Sequence, residues 1–268
     1  MKQFLLPALF ASLFMQAAPV LADSSASATI NWGSFNVQII DLSGGTNAPV
    51  FTWTNQSGAA NSSASSYMDG GSDSASSSRS APNWTKALTP NSNTENAQAS
   101  GLRNTSTLSA SAATQASSSD SYSWYSTNNA SANANNAGNF SLTGYGIALI
   151  SVSWNASVTG ATSDLYDYSN ANVSISGSYN DGLYSNGSAN SGVNLQSYWG
   201  ATSVNGLFTL AVTNAGSGLT TGYLNANVST NSTSPFSVAI TPVPEPDVYA
   251  MLLAGLGLIG FMSRRRLL

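Results

Sequence analysis

Apolar and polar residues alternate with a period of two along much of this chain, the pattern of a strand with one dry face and one wet face. The clearest run places Ala148, Ile150, Val152, Trp154, Ala156 and Val158 on one face and Ser151, Ser153, Asn155 and Ser157 on the other. Ala171, Val173, Ile175, Gly177 and Tyr179 alternate in the same way with Asn172, Ser174, Ser176 and Ser178. Further strands are predicted from Phe208, Leu210 and Val212, from Leu224, Ala226 and Val228, and from Phe236, Val238 and Ile240. The first strand changes phase. Ala28, Ile30 and Trp32 share a face, then Phe35, Val37 and Ile39 take over, and Gly33-Ser34 at the switch predicts a β-bulge. Gly44-Gly45, Asp181-Gly182, Asn186-Gly187, Asn205-Gly206 and Gly216-Ser217-Gly218 read as turns. No segment of the body has the period of an amphipathic helix. The expected fold is all-β, an antiparallel β-sandwich or jelly-roll-like body.

Two Ser-, Ala- and Asn-rich stretches, Ser57 to Ser80 and Ser109 to Asn139, admit two readings. One is low-complexity loop. The other is long, Ser-rich edge strands, because Leu102, Leu108, Ala110 and Ala112, and then Tyr122 and Trp124, alternate with polar residues.

Both chain ends leave this pattern. Lys2 precedes an apolar run from Phe4 to Ala18, Pro19 breaks it, and Val20-Leu21-Ala22 sets small side chains before Asp23. That is the layout of a signal peptide over residues 1–22, cut by signal peptidase between Ala22 and Asp23. At the other end, Val243-Pro244-Glu245-Pro246 precedes an apolar stretch over 248–262 and the cluster Arg264, Arg265, Arg266. Those 15 residues would make a helix about 22 Å long, a marginal span of a hydrocarbon core about 30 Å thick. The arginines act as a stop-transfer cluster that stays cytoplasmic, which gives one C-terminal transmembrane helix with the body outside. Gly255-Leu256-Gly257-Leu258-Ile259-Gly260 spells a dinucleotide fingerprint, but inside an apolar segment with no strand before it. We read those glycines as helix-contact positions instead.

The order of proline-flanked acid, apolar helix and arginine cluster resembles the PEP-CTERM sorting domain of Gram-negative bacteria. The resemblance covers residues 242–268 and leaves 23–241 as a Ser/Asn-rich ectodomain. It implies recognition of Val243, Pro244, Glu245 and Pro246 by an exosortase, export across the inner membrane, transient anchoring there, and then a place at the cell surface or outside. It also implies association with exopolysaccharide and biofilm. The same C-terminal region has been labelled as that of ice-binding proteins. Ice binding would call for flat ranks of regularly spaced threonines, and Thr52/Thr54 and Thr105/Thr107 are isolated pairs.

Composition narrows the body's chemistry. Charged residues are 7% of the chain, against about 25% in an ordinary soluble protein. Residues 23–243 hold nine acids and only the bases Arg79, Lys86 and Arg103, so no basic surface exists to neutralise nucleic-acid phosphates. The chain has no Cys and no His. Disulfides, the usual zinc sites and His-dependent acyl-transfer chemistry are therefore excluded. Asp164 and Asp167 could form a glycosidase pair. Those two, or Asp69-Gly70-Gly71-Ser72-Asp73, could hold calcium, although neither has EF-hand spacing. A solvated turn is the favoured reading of them. Aromatic residues are the better lead. Trp53, Trp84, Trp124, Tyr198 and Trp199 fall near turns or strand ends, as do Tyr125 and Tyr184, where they could stack on sugar rings beside Asn and Asp. Core packing is the competing reading.

The expectation is a non-enzymatic surface or matrix protein without cofactor or metal. A carbohydrate-binding module or adhesin is the alternative, and a glycoside hydrolase the distant one.

Overall fold

The structure is a computed structural model that describes residues 24–68, 71–115, 117–118, 127–160, 167–181, 186–216 and 218–237. Its strands are β1 (Ser24–Asp41), β2 (Val50–Met68), β3 (Gly71–Ala81), β4 (Asn91–Asn93), β5 (Ala97–Arg103), β6 (Leu108–Thr114), β7 (Ser117–Ser118), β8 (Thr127–Thr143), β9 (Gly146–Gly160), β10 (Tyr168–Asn180), β11 (Asn186–Ser197), β12 (Gly200–Asn214) and β13 (Leu219–Ser237). There is no helix among the described residues.

The strands form two antiparallel sheets. One runs β12-β9-β1-β6-β5-β4 and the other β11-β10-β13-β8-β2-β3, with the two-residue β7 pairing parallel to β13. They face each other across a single core. An all-β body of two antiparallel sheets is thus what the alternation predicted. One sheet has six strands and the other seven, counting β7, which makes the pair broader than the eight-strand double sheet of a jelly roll. The Ser-rich stretches resolve mainly as strands, in β2, β3 and β8.

The alternating faces lie as read. Ala148, Ile150, Val152, Trp154, Ala156 and Val158 are buried, as are Ala171, Val173 and Ile175, then Phe208, Leu210 and Val212, and Leu224, Ala226 and Val228. Phe236 lies in β13, while Val238 and Ile240 fall outside the described residues. The phase change in β1 is a bulge. Asn31 pairs with Ser153 and Asn36 with Ser151, so five steps on β1 match two on β9. An odd count against an even one moves the dry face from Ala28, Ile30 and Trp32 to the half-buried Phe35 and Val37, but Ile39, expected on the same face, is exposed at the end of the strand. The Ser34 hydroxyl fills the gap by accepting from the Ser153 N–H at 3.0 Å and donating to the Asn31 carbonyl at 2.7 Å.

Three readings change. Asn205-Gly206 is no turn but lies within β12, because a side chain there would collide with Trp154. An ideal Cβ on Gly206 would come within 2.2 Å of the indole. Asn186-Gly187 opens β11 instead of ending a strand, and an ideal Cβ on Gly187 would stand 2.5 Å from the Tyr179 ring. In β5 the expected alternation is inverted: Leu102 points outward and Arg103 is fully buried. The Gly44-Gly45 turn is present, with φ of 65° and 91°.

Arg103 is buried without a carboxylate. Its guanidinium donates to Asn136 Oδ1, to the Asn83 carbonyl, and to the Lys86 carbonyl at 3.3 Å. Burial pushes its pKa down from the ordinary arginine value. It pins the 82–90 segment over β8 and occupies the space facing Gly58, where an ideal Cβ would lie 2.4 Å from Nε.

Candidate functional site

The sequence candidates separate into a buried group and an exposed one. Trp84 is 7% exposed and Trp53 is half-buried. Both belong to an aromatic cluster with Trp32, Phe35, Phe51 and Phe140. Trp53 and Trp84 stand 4.6 Å apart between ring centroids, Trp32 and Trp84 5.0 Å, and Phe51 and Phe140 5.1 Å. The Trp84 Nε1–H is shared between the carbonyls of Ser57 and Ala137, at 3.1 and 3.2 Å. Trp84 therefore belongs to the core, which corrects the expectation that it stacks on sugars, while Trp53 packs half-buried against that core. Trp124, Tyr125 and Tyr184 fall outside the described residues.

Tyr198 and Trp199 are different. They form the two-residue link by which the chain leaves β11 and enters β12 in the other sheet, and they are 54% and 66% exposed. The link is held firmly. Ser197 Oγ donates to the carbonyls of Trp199 and Gly200 at 3.0 and 3.1 Å. Gly200 adopts φ of 75°, which a Cβ would disfavour. The backbone of Tyr198 rests on Gly160, where an ideal Cβ would lie 2.6 Å from the Tyr198 carbonyl carbon. Tyr168, the first residue of β10, packs its ring 5.2 Å from that of Tyr198 at 47°. Burial pushes the Tyr168 phenol pKa up, the neighbouring Tyr198 adds to this, and a hydrogen bond with Asn170 opposes it. The phenol thus stays protonated at neutral pH and can both donate and accept. Sequence reasoning picked out Tyr198 and Trp199. It missed Tyr168 as their neighbour, because only the pairing of β10 with β11 brings them together.

Around this corner lies an uncharged field. The outward residues of one sheet line up across the strands as Asn194, Asn172, Ser229, Asn133, Asn61 and Ser78. In the other sheet one row reads Ser203, Ser157, Ser27, Ser111, Ser100 and Asn91. The side chains bond along and between such rows: Ser27 and Ser157 hydroxyls meet at 2.8 Å within one, and Asn133 Nδ2 donates diagonally to Asn227 Oδ1 at 2.7 Å. Over the second sheet lies a groove of 760 Å³ lined by Ser27, Asn91, Gln98, Ser100, Ser111 and Ser157 among others. A surface of hydroxyls and amides offers hydrogen bonds of both senses and no charge. It matches neutral polyhydroxylated ligands.

The carboxylate candidates do not assemble among the described residues. Asp164, Asp69 and Gly70 fall outside them. Asp167 is buried and Asp73 lies on β3. No three His, Cys, Asp or Glu side chains gather among the described residues.

Ala22, Asp23, Val243, Pro244, Glu245, Pro246 and Arg264 to Arg266 also lie outside the described residues, as does the expected helix over 248–262. Among the described residues no helix is long and apolar enough to cross a membrane. Residues 242–266 match the model of the PEP-CTERM protein-sorting motif. No curated protein matches the chain.

Proposed function

We propose that this chain is a non-catalytic structural protein of the extracellular matrix, delivered there by its C-terminal tail and associated with exopolysaccharide in biofilm. The match of the PEP-CTERM protein-sorting motif at 242–266 carries the reading, since that motif marks an exosortase-sorted protein destined for the cell surface or beyond. The body is consistent with it. Two broad sheets with hydroxyl and amide faces stay hydrated without ions.

In this reading the body first stays attached to the inner membrane of a Gram-negative cell through residues 248–262, with Arg264, Arg265 and Arg266 on the cytoplasmic side. Glu245, whose flanking prolines favour an extended backbone in sequence, is presented to the exosortase. A simple anchor would not need that carboxylate. Glu245→Ala should leave insertion intact and trap a full-length membrane form, while replacing the arginines should disturb orientation first. Blots of membrane and released fractions, with and without the exosortase, read this out. Identical size and distribution of wild type and Glu245→Ala in a host that carries the exosortase would overturn it.

A second reading rests on the exposed Tyr198–Trp199 link, with Tyr168 beside it and the amides of Asn170, Asn194 and Gln196 on the adjoining strands. An aromatic face beside neutral amides suits a sugar ring, whose C–H face packs on the ring while its hydroxyls take the polar edge. Trp199→Ala should reduce retention on a neutral polysaccharide and leave the melting temperature unchanged. Undiminished retention would exclude this corner as the glycan contact.

A further inference from the structure

Strand β3 is an open edge. It pairs with β2 from Met68↔Gly71 to Gly58↔Ala81 without a register break, and no described strand pairs with its other side. Alternate residues of such a strand aim their N–H and C=O groups away from the sheet, ready for another strand. Proteins ordinarily block such an edge with charged side chains (lysine above all), proline, a bulge or great shortness. β3 has no lysine, proline or bulge and is not short. It is 11 residues of Gly, Ser and Ala, with Asp73 and Arg79 as its charges, and every residue before Ala81 is exposed or half-buried.

The placement of the two charges is specific. They lie three positions on either side of Ser76 and, with an even separation, on the same face. Six residues of strand hold them about 20 Å apart, too far to pair within one chain. Their register partners on β2, Ser66 and Ala60, are buried, so both charges stand on the core-facing side of β3, yet both are exposed. Between them Ser62, the partner of Ser77, bonds to Ser92 of β4 at 2.8 Å. An opposite charge across the edge would therefore partner each of them without stranding it.

We propose that β3 is a self-association edge that pairs antiparallel with β3 of a second copy about a two-fold axis through Ser76. In that register Asp73 faces Arg79 of the second copy, and Arg79 faces its Asp73. Every other pair joins small residues: Ser74 with Ser78, Ser72 with Ser80, Ala75 with Ser77, and Ser76 with itself. Opposite charges across such a pair stabilise and like charges repel. An isologous interface doubles each favourable contact. The result is one sheet running unbroken through two molecules, joined mainly by backbone hydrogen bonds, as in β-strand addition. A register one same-face pair away in either direction leaves Asp73 and Arg79 facing serine, glycine or alanine, so the charges select this register.

The chain has no cysteine, so one introduced cysteine reports on the contact. In full-length chain purified in detergent and treated with a short bismaleimide, Ser76→Cys should cross-link to a dimer and Ser80→Cys should not, since two copies of position 80 would lie about 27 Å apart. In the Ser76→Cys background, Arg79→Asp should weaken association about tenfold, and adding Asp73→Arg should restore it. Mixing the Arg79→Asp and Asp73→Arg single variants should give a heterodimer. Equal cross-linking at positions 76 and 80, no cross-linking at 76, indifference to Arg79→Asp, or failure of the double reversal to rescue would each overturn the proposal.

Discussion

At one end of the sandwich the rings of Trp32, Phe35, Phe51, Trp53, Trp84 and Phe140 fill the core, with contacting centroids between 4.6 and 6.3 Å apart. At the other end the same two sheets are joined by four buried hydroxyls. Ser24 meets Thr114 at 3.0 Å and Ser232 at 2.6 Å, and Thr114 meets Ser232 and Ser234 at 2.8 and 2.9 Å. Between them lie alanines: Ala26 and Ala28, Ala110 and Ala112, Ala130, Ala132 and Ala134. β8 runs the whole gradient, from Asn128 through its alanines to Phe140 and Leu142. Each end has a different source of cohesion. The aromatic end removes much apolar area per residue, at about 25 cal/mol per Å². The small-residue end buries little area per side chain, and the sheets answer by approaching closely. At Gly101 an ideal Cβ would lie 2.9 Å from the Asn61 carbonyl oxygen and 3.0 Å from that of Asn133, both on the facing sheet. Stability should therefore respond to lost volume at one end and to added volume near the other.

The largest effect is expected at the aromatic end. Trp84→Ala should cost about 3–5 kcal/mol, read as a lower urea midpoint; a near-wild-type midpoint would mean that the cluster is not the main source of stability. Arg103→Met comes next. It keeps much of the stem but leaves Asn136 Oδ1 and the carbonyls of Asn83 and Lys86 without their donor, at about 1.5–3 kcal/mol. Gly101→Ala adds a single methyl group where backbone stands on both sides, and should cost about 1–3 kcal/mol through overpacking. The sign is the test, because an alanine in an ordinary exposed strand would stabilise relative to glycine. Ser232→Ala should cost only about 1 kcal/mol, since Ser24 and Thr114 still bond to each other. The smallest effect is at Tyr168. Its pKa is raised in the fold, so the native state holds that proton more tightly than the unfolded chain does. The associated stability is complete below about pH 10 and is lost as pH rises through the folded value. Tyr168→Phe should flatten that alkaline decline in a pH series of melting temperatures.

Local pattern by itself determined which residues of β9, β10, β12 and β13 turn inward, because period two leaves only two choices and Ser or Asn opposite Val or Ile decides between them. It also located the β1 bulge through the exchange of phase, and it identified the terminal sorting motif, whose recognition depends on a short linear order. Only the tertiary structure decided the rest. Ser and Ala carry no strong preference between a wet and a dry face, so β2, β3 and β8 became strands through long-range pairing with partners far along the chain. Trp53 and Trp84 look the same in sequence as Trp199; the indoles of the first two met at 4.6 Å while the third was left on a corner. Arg103 was drawn inward past Leu102 because carbonyls of the 82–90 segment and an amide of β8 converge on it. Gly206 broke no strand because Trp154 needed its missing side chain. In each case a contact between residues distant in sequence outweighed a local preference worth less than a single buried ring.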